Sequence, residues 1–232
     1  MSQDRSRSAN RILSSLPEIE YQRLEPYLIS VKLTLGEVFY EPLEKIETVY
    51  FPKKALISLV STLKNGATSE VGLIGGTGMV GLPVLLGNGC SKNRAVVQVA
   101  DGAFKISAQI LKQEFERGGK LQRLLLQYTE NRLDEVSQLA VCNAHHTIEE
   151  RLARWLLTVR DLIQSDELPL TQEFIGDMLG VQRSGVTIAA GIVQRAGLIK
   201  YSRGKIKIID SRGLEDVACE CYELFYDRFY RE

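Results

Sequence analysis

The sequence predicts an α+β chain: a β-sandwich or jelly roll towards the N-terminus, then a long helix, then a helix-turn-helix with a hairpin wing. Three observations carry this. Residues 31–107 break into short runs rich in β-branched and aromatic residues, divided by Gly, Pro and Asn. Residues 120–142 contain no Gly or Pro and repeat apolar residues at helical spacing. Between Asp177 and Asp210 there is no carboxylate, yet Arg183, Arg195, Lys200, Arg203, Lys205 and Lys207 all fall there.

The totals set the bounds. A chain of 232 residues holds one large domain or two moderate ones. Its hydrophobic share of 44% and charged share of 25% suit a globular protein whose core needs no disulfide or metal. Lys and Arg number 29 and so do Asp and Glu, so only the placement of charge is informative. Cys90, Cys142, Cys219 and Cys221 form no CxxC and no zinc-type spacing with a His, as in a reducing cytosol. The N-terminus is polar without an apolar core, so it is no signal peptide, and the first ten residues read as a loose tail. No run of ~18 apolar residues offers a membrane span, and a cytoplasmic location is expected.

Residues 11–30 read as one or two short helices, with Leu13, Leu16, Ile19, Leu24 and Leu28 recurring around Pro17 and Pro26. In the strand-rich region Asn65-Gly66 sits between two β-type runs, a strong hairpin signal. After Gly118-Gly119 the long helix carries two apolar stripes. Leu121, Leu125, Tyr128, Leu139 and Cys142 form one, interrupted by Arg132 and Glu135; Leu126, Leu133, Val136 and Ala140 form the other. One side can pack on the β-domain and the other on a second copy, or the helix can be purely intramolecular. The first stripe is taken as the dimer face: Leu121, Leu125, Tyr128 and Leu139. Thr147-Ile148-Glu149-Glu150 is a capping box that starts another helix, with Leu152, Trp155, Leu156, Val159 and Ile163 inward. The expected domains are 1–118 (β-roll with N-terminal helices), 119–146 (dimerisation helix and hinge) and 147–232 (winged helix-turn-helix).

Thr171 can cap a helix that ends at Gly180, and a second helix runs from Arg183 to about Ala196. Ile175, Leu179, Val186, Ile192 and Val193 are spaced to pack the pair. Arg183, Ser184 and Thr187 lie at the outward start of the second helix, the end that meets base edges in a major groove. Residues 198–210 read as a hairpin turning at Arg203-Gly204, with Lys205 and Lys207 on one face. Such a wing suits phosphates. Double-stranded DNA is the expected partner; the competing reading is a sensory or protein-interaction module whose helix-turn-helix does not read DNA.

The segment LTQEFIGDMLGVQRSGVTIAAGIVQRAGLI with RGKIKIID closely resembles the winged helix-turn-helix of the Crp/Fnr family of bacterial transcription regulators. EERLARWLL and the order of the upstream elements are similar as well. The resemblance implies a cyclic-nucleotide-binding-type β-roll, a dimerisation helix and a homodimer on a pseudo-palindromic site, with RNA polymerase as an expected partner. It puts base contacts at Arg183, Ser184, Thr187 and Ile188. Thr171, Gln172, Gln182, Lys200, Arg203, Lys205 and Lys207 are expected at phosphates. Ser184 and Ile188 depart from the residues common in the family, and Gln182 is a weaker helix cap than Ser or Thr.

The effector pocket implied by the resemblance falls at Gly81, Leu82, Asn93, Arg94 and Ala95. Leu82 stands where cyclic-AMP-binding members carry Glu, and it cannot accept a ribose hydroxyl. Arg94 is displaced by one position, which in a strand reverses a side chain's face. Cyclic AMP is therefore not expected, and any small-molecule effector is unknown. No cofactor is expected either. An iron–sulfur cluster is not expected because no cysteine precedes Cys90, haem is not expected because His145 and His146 lie at the hinge, and Cys219 and Cys221 read as i,i+2 on one final helix, on different faces. There is no nucleophile–base pairing, P-loop, GxGxxG or HExxH, so the protein is not expected to be an enzyme.

Overall fold

The computed structural model describes residues 9–202 and 204–224. It divides into two compact units: Met1–Ser61 with Gly72–Leu133, and Thr62–Val71 with Asp134–Glu232. The second unit thus takes the tip of one β-hairpin along with the C-terminal half.

In the first unit α1 (Arg11–Ser14), α2 (Glu18–Leu24) and a 3-10 turn (Glu25–Tyr27) precede the strands. These are β1 (Ile29–Lys32), β2 (Val38–Tyr40), β3 (Thr48–Pro52), β4 (Leu56–Thr62), β5 (Thr68–Ile74), β6 (Arg94–Val99) and β7 (Gly102–Ser107). They form two sheets, ordered β1-β7-β3 and β2-β6-β4-β5. Short helix α3 (Pro83–Leu86) lies between β5 and β6, and α4 (Ala108–Glu116) follows β7. The β3–β7 register pairs Val49 with Ile106 and Phe51 with Phe104. Period-two alternation then sends Val49, Phe51, Ile106, Ile57 and Val97 into one core. The Asn65-Gly66 turn lies between β4 and β5 as expected, with Gly66 at φ +85°.

Asn10 corrects the reading of the first ten residues as a loose tail. It is fully buried. Its Oδ1 accepts the N–H groups of Ile12 and Leu13, which caps α1, and its Nδ2 donates to the carbonyls of Pro52 and Gly78. Ile19, expected inward, is 73% exposed instead.

Helix α5 (Lys120–His145) is 26 residues long, about 39 Å. Gly118 and Gly119, both at positive φ, break the chain before it. Its N-terminus is capped from a distance. Glu20 on α2 accepts the N–H of Lys120 at 2.9 Å and of Leu121 at 2.8 Å. Leu121, Leu125 and Tyr128 pack in the β-roll core, and Tyr128 Oη donates to the Met79 carbonyl at 3.0 Å. Arg132 continues that face and donates to the Leu73 carbonyl at 3.4 Å. Leu139 packs beside Cys142. The expected dimer face is therefore the subunit's own inward face. A β-roll and a partner helix both ask for an apolar stripe of the same period, and the core took the first one. The exposed apolar residues of α5 are Leu126, Leu133, Val136 and Val141.

The second unit continues with α6 (Ile148–Ile163), β8 (Glu167–Leu168), α7 (Gln172–Leu179), α8 (Arg183–Arg195), β9 (Ile199–Ser202), β10 (Lys205–Ile208) and α9 (Ser211–Val217). The capping box forms: Glu150 N donates to Thr147 Oγ1, and the Glu150 carboxylate accepts Thr147 N–H at 2.7 Å. Helix α6 packs against α8 and α9, burying Leu152, Leu156, Val186, Val193 and Leu214. The strands order as β8-β10-β9. Among the described residues no helix is long and apolar enough to cross a membrane.

Two predictions test how α1 and α5 are fastened. Asn10→Ala removes a cap and leaves two carbonyls without a donor, which together cost about 2–4 kcal/mol. Urea unfolding should show that loss, with Asn10→Asp no better than Asn10→Ala, because it sets a carboxylate oxygen against the Pro52 and Gly78 carbonyls. Glu20 titrates low in the fold: burial pushes its pKa up, but the Lys120 and Leu121 N–H groups and the nearby Arg23 and Arg123 charges pull it down further. A depressed carboxylate stabilises above its unfolded pKa of about 4.3, and that contribution is lost as pH falls through the folded value. Wild type should lose about 0.5–1 kcal/mol across that window, and Glu20→Gln should show no such step.

Candidate nucleic-acid interface and thiol cluster

Thr171 Oγ1 accepts the Phe174 N–H at 3.2 Å and starts α7. Gly180 ends it in the left-handed region, φ +64°. The turn then closes tightly on α7: Val181 N donates to the Gly176 carbonyl at 3.0 Å, and a Cβ on Gly176 would sit 3.0 Å from Val181 O. Helix α8 starts after Gln182, whose side chain makes no capping bond. Its Val186, Ala189, Ala190 and Val193 are buried. Arg183, Ser184, Thr187 and Ile188 are exposed together on the opposite side. Thr187 Oγ1 donates to the Arg183 carbonyl at 2.9 Å. Ile192 was expected to pack inward but is 41% exposed, one turn beyond Ile188 on the same face.

The wing pairs Lys205 with Ser202, Ile206 with Tyr201 and Lys207 with Lys200. Alternation buries Ile206 and Ile208 and exposes Lys205 and Lys207. Lys200 is exposed opposite Lys207, and Lys207 Nζ lies 3.1 Å from Glu167 Oε1, so part of that charge is already answered. Gln194 Oε1 accepts the Tyr201 N–H at 2.7 Å and ties the wing to α8. Arg203 and the side chain of Gln172 lie outside the described residues.

The expected effector residues are placed in the β-roll. Gly81 has φ +113° and a Cβ there would press on Val49 Cγ2 at 3.0 Å, so the position requires glycine. Leu82 precedes α3 and is half-buried, Asn93 N donates to Ser91 Oγ, and Ala95 is fully buried. Arg94 points to the surface and pairs with Glu41 at 3.2 Å. Tyr128 closes over Gly78, where a Cβ would fall 2.7 Å from its hydroxyl.

The expectation of no cofactor is overturned by a cluster that the second unit assembles. Cys142, His146, Cys219 and Cys221 bring their ligand atoms within 4.8 Å of one another, a set that can hold a metal ion. Cys142 and His146 stand at i,i+4 at the end of α5. Helix α9 stops at Val217 and Ala218 is extended, so Cys219 and Cys221 are not on one continuous helix. Their i,i+2 spacing therefore does not separate them, unlike on the continuous helix that the sequence predicts. Cys142 Sγ is 3.7 Å from Cys219 Sγ, and Cys221 Sγ is 3.7 Å from His146 Nδ1. The hydrogen bond with Cys219, and then the charge of Arg154, hold Cys142 well below the usual thiol range, while the same bond and burial push Cys219 up. Burial raises Cys221 as well.

Residues 150–217 match the Crp-like helix-turn-helix domain. The chain carries a Crp-like DNA-binding domain. Solved structures extend the likeness to the whole fold. A regulator assigned to the Crp/Fnr family from Eubacterium rectale is 20% identical, with TM-score 0.72, covering 90% of this chain and 98% of that one. FixK2 from Bradyrhizobium japonicum is 18% identical, with TM-score 0.71, covering 83% and 98%. CLP of Xanthomonas campestris, described as a c-di-GMP-responsive global regulator, is 13% identical, with TM-score 0.69, covering 83% and 99%. A search of curated protein sequences gave no match. The match places residues 150–217 among Crp-like helix-turn-helix domains, and the solved structures show that the chain shares the fold of these regulators.

Gly176→Val should overpack the Crp-like turn and destabilise the second unit by about 1–3 kcal/mol. Thermal unfolding followed at Trp155 should report it, whereas Ser184→Ala, on the exposed face, should leave the transition in place.

Proposed function

We propose that the protein acts as a cytoplasmic homodimer that regulates transcription from a pseudo-palindromic DNA site, reading bases through Arg183, Ser184, Thr187 and Ile188 of α8. The observation that carries this reading is the exposure of these four residues together at the start of a helix, in a stretch that holds no carboxylate between Asp177 and Asp210. Thr171, Gln172, Gln182, Lys200, Arg203, Lys205 and Lys207 serve the phosphates, which fix register without choosing sequence. Arg183 suits a guanine edge, and the Ile188 side chain with the Thr187 methyl suits a thymine methyl.

Dimerisation falls to the outward stripe of α5. Leu126, Leu133 and Ala140 recur every seven residues, with Val136 three after Leu133, which is the spacing of a two-helix seam. Two α8 helices then enter successive major grooves ~34 Å apart. Domain limits near 118 and 146 separate a sensing β-roll, this seam and the reading head. RNA polymerase is the further partner. Any effector of the β-roll acts by binding two arrangements of the dimer unequally.

Selection of bound duplexes from a random pool, at two salt concentrations, tests this directly. The expected product is an inverted repeat with half-sites about one turn apart. Arg183→Ala should relax one position of each half-site by about 10–100-fold, matching ~1–3 kcal/mol of lost base discrimination. Lys205→Ala should weaken all sequences alike and lower the salt slope by about one. A protein-interaction module would enrich no motif and show neither effect.

A further inference from the structure

We propose that Cys142, His146, Cys219 and Cys221 form a tetrahedral site for a single divalent ion of the zinc class, which fastens the C-terminal segment to the end of α5. The first support is distance. Two thiolates on one ion, at about 2.3 Å each and a tetrahedral angle, lie about 3.8 Å apart. Cys142 and Cys219 sulfurs are 3.7 Å apart, and Cys221 sulfur is 3.7 Å from His146 Nδ1. A multi-iron cluster can hold one pair of thiolates this close on a single iron, but it carries its other ligands on a second iron farther away, whereas all four donor atoms here lie within 4.8 Å of one another. Three cysteines and one histidine are a donor set of closed structural zinc sites.

The second support is the shell around the four residues. His146 presents Nδ1 to the cluster while its Nε2 lies 3.1 Å from Glu220 Oε2. That carboxylate fixes the tautomer in which Nδ1 is the free donor, as in carboxylate–histidine–metal arrangements. Gln138 Nε2 donates to Cys221 Sγ at 3.1 Å, a bond suited to a thiolate acceptor. Three thiolates and a neutral histidine around a divalent ion carry one net negative charge. Arg151 and Arg154 supply the opposite charge from within: both are buried, and Arg151 Nε has no hydrogen-bond partner among the described residues. A buried guanidinium calls for such a counter-charge.

The three cysteines bind as thiolates, any that are still protonated releasing the proton to solvent as three metal–sulfur bonds form, and His146 donates a lone pair. The ion then joins α5 to residues 219–221, immediately before the capping box that begins α6. Loading should therefore raise the melting temperature of the second unit and protect amides of residues 218–222 from exchange.

The experiment is a titration of the reduced, metal-free full chain with cobalt(II) under anaerobic conditions, followed by displacement with zinc. The expected result is one ion per chain, with the intense visible bands of tetrahedral cobalt bound to thiolates. Cys142→Ser, Cys219→Ser, Cys221→Ser and His146→Ala should each lose or shift those bands, and Cys90→Ser should keep them. Glu220→Gln should weaken binding by about 10–100-fold while keeping the spectrum. The proposal is overturned if reduced wild type takes up no cobalt, or if the bands survive in the ligand variants. It is equally overturned if anaerobically purified chain holds iron with acid-labile sulfide, or a Cys142–Cys219 disulfide in place of an ion.

Discussion

The rotational phase of helix α5 is the constraint on which the packing of the first unit depends. Leu121, Leu125 and Tyr128 are locked into the β-roll core, and the Tyr128 hydroxyl is bonded to the Met79 carbonyl. At 3.6 residues per turn, that contact fixes the direction of every later side chain. The same face passes through Arg132, Glu135 and Leu139 and reaches Cys142 and His146. The opposite face carries Leu126, Leu133, Val136 and Ala140. Within the first unit the helix turns Leu121, Leu125 and Tyr128 to the core and leaves Leu126 and Leu133 exposed; within the second, Cys142 is buried and Val136 exposed.

Charged residues on the inward face are the cost of this arrangement, and the structure answers them locally. Arg132 and Glu135 are buried. Arg132 lies across Gly72 and donates to the Leu73 carbonyl; a Cβ on Gly72 would occupy the place of its guanidinium. A glycine on β5 and an arginine on α5 therefore form one feature. Further along the chain, Arg151 donates to the Leu179 carbonyl at the end of α7. That bond ties α6 to the helix-turn-helix at the carbonyls a helix end leaves open.

Local signals were legible in the sequence. Thr171 and Gly180 mark α7, Thr147 and Glu150 start α6, and Asn65-Gly66 turns β4 into β5, because each depends on residues within a few positions. The two stripes of α5 were legible too, but their assignment was not: period alone does not say which stripe meets a core. Arg132 and Glu135 were the clue, since a seam between copies tolerates them less readily than a β-roll with a glycine beneath. The thiol cluster was hidden for another reason. Its cysteines lie 77 residues apart in the closest pair, and it depends on α9 stopping at Val217. Apolar spacing ran on through Ala218 and gave no sign of that stop. Asn10 was missed likewise, because its partners Pro52 and Gly78 are distant in sequence.

Within the reading head, affinity and choice are carried by different chemistry. Lys207 is paired with Glu167, whereas Lys205 on the same strand face shows no ion pair among the described residues, so Lys205 is the wing cation most open to a phosphate. The exposed face of α8 has one cation at its start, then Thr187, Ile188 and Ile192, which carry no charge. On the proposed reading, such a face draws little of its binding from phosphate attraction. It gains by covering thymine methyl groups and by the single guanine that Arg183 can grip. Wrong bases are then rejected mainly by imperfect apolar contact, a weak form of discrimination for each position. Two α8 helices on one dimer multiply that discrimination over two half-sites. If the proposed seam forms, the outward stripe of α5 is as much a part of sequence recognition as α8 itself.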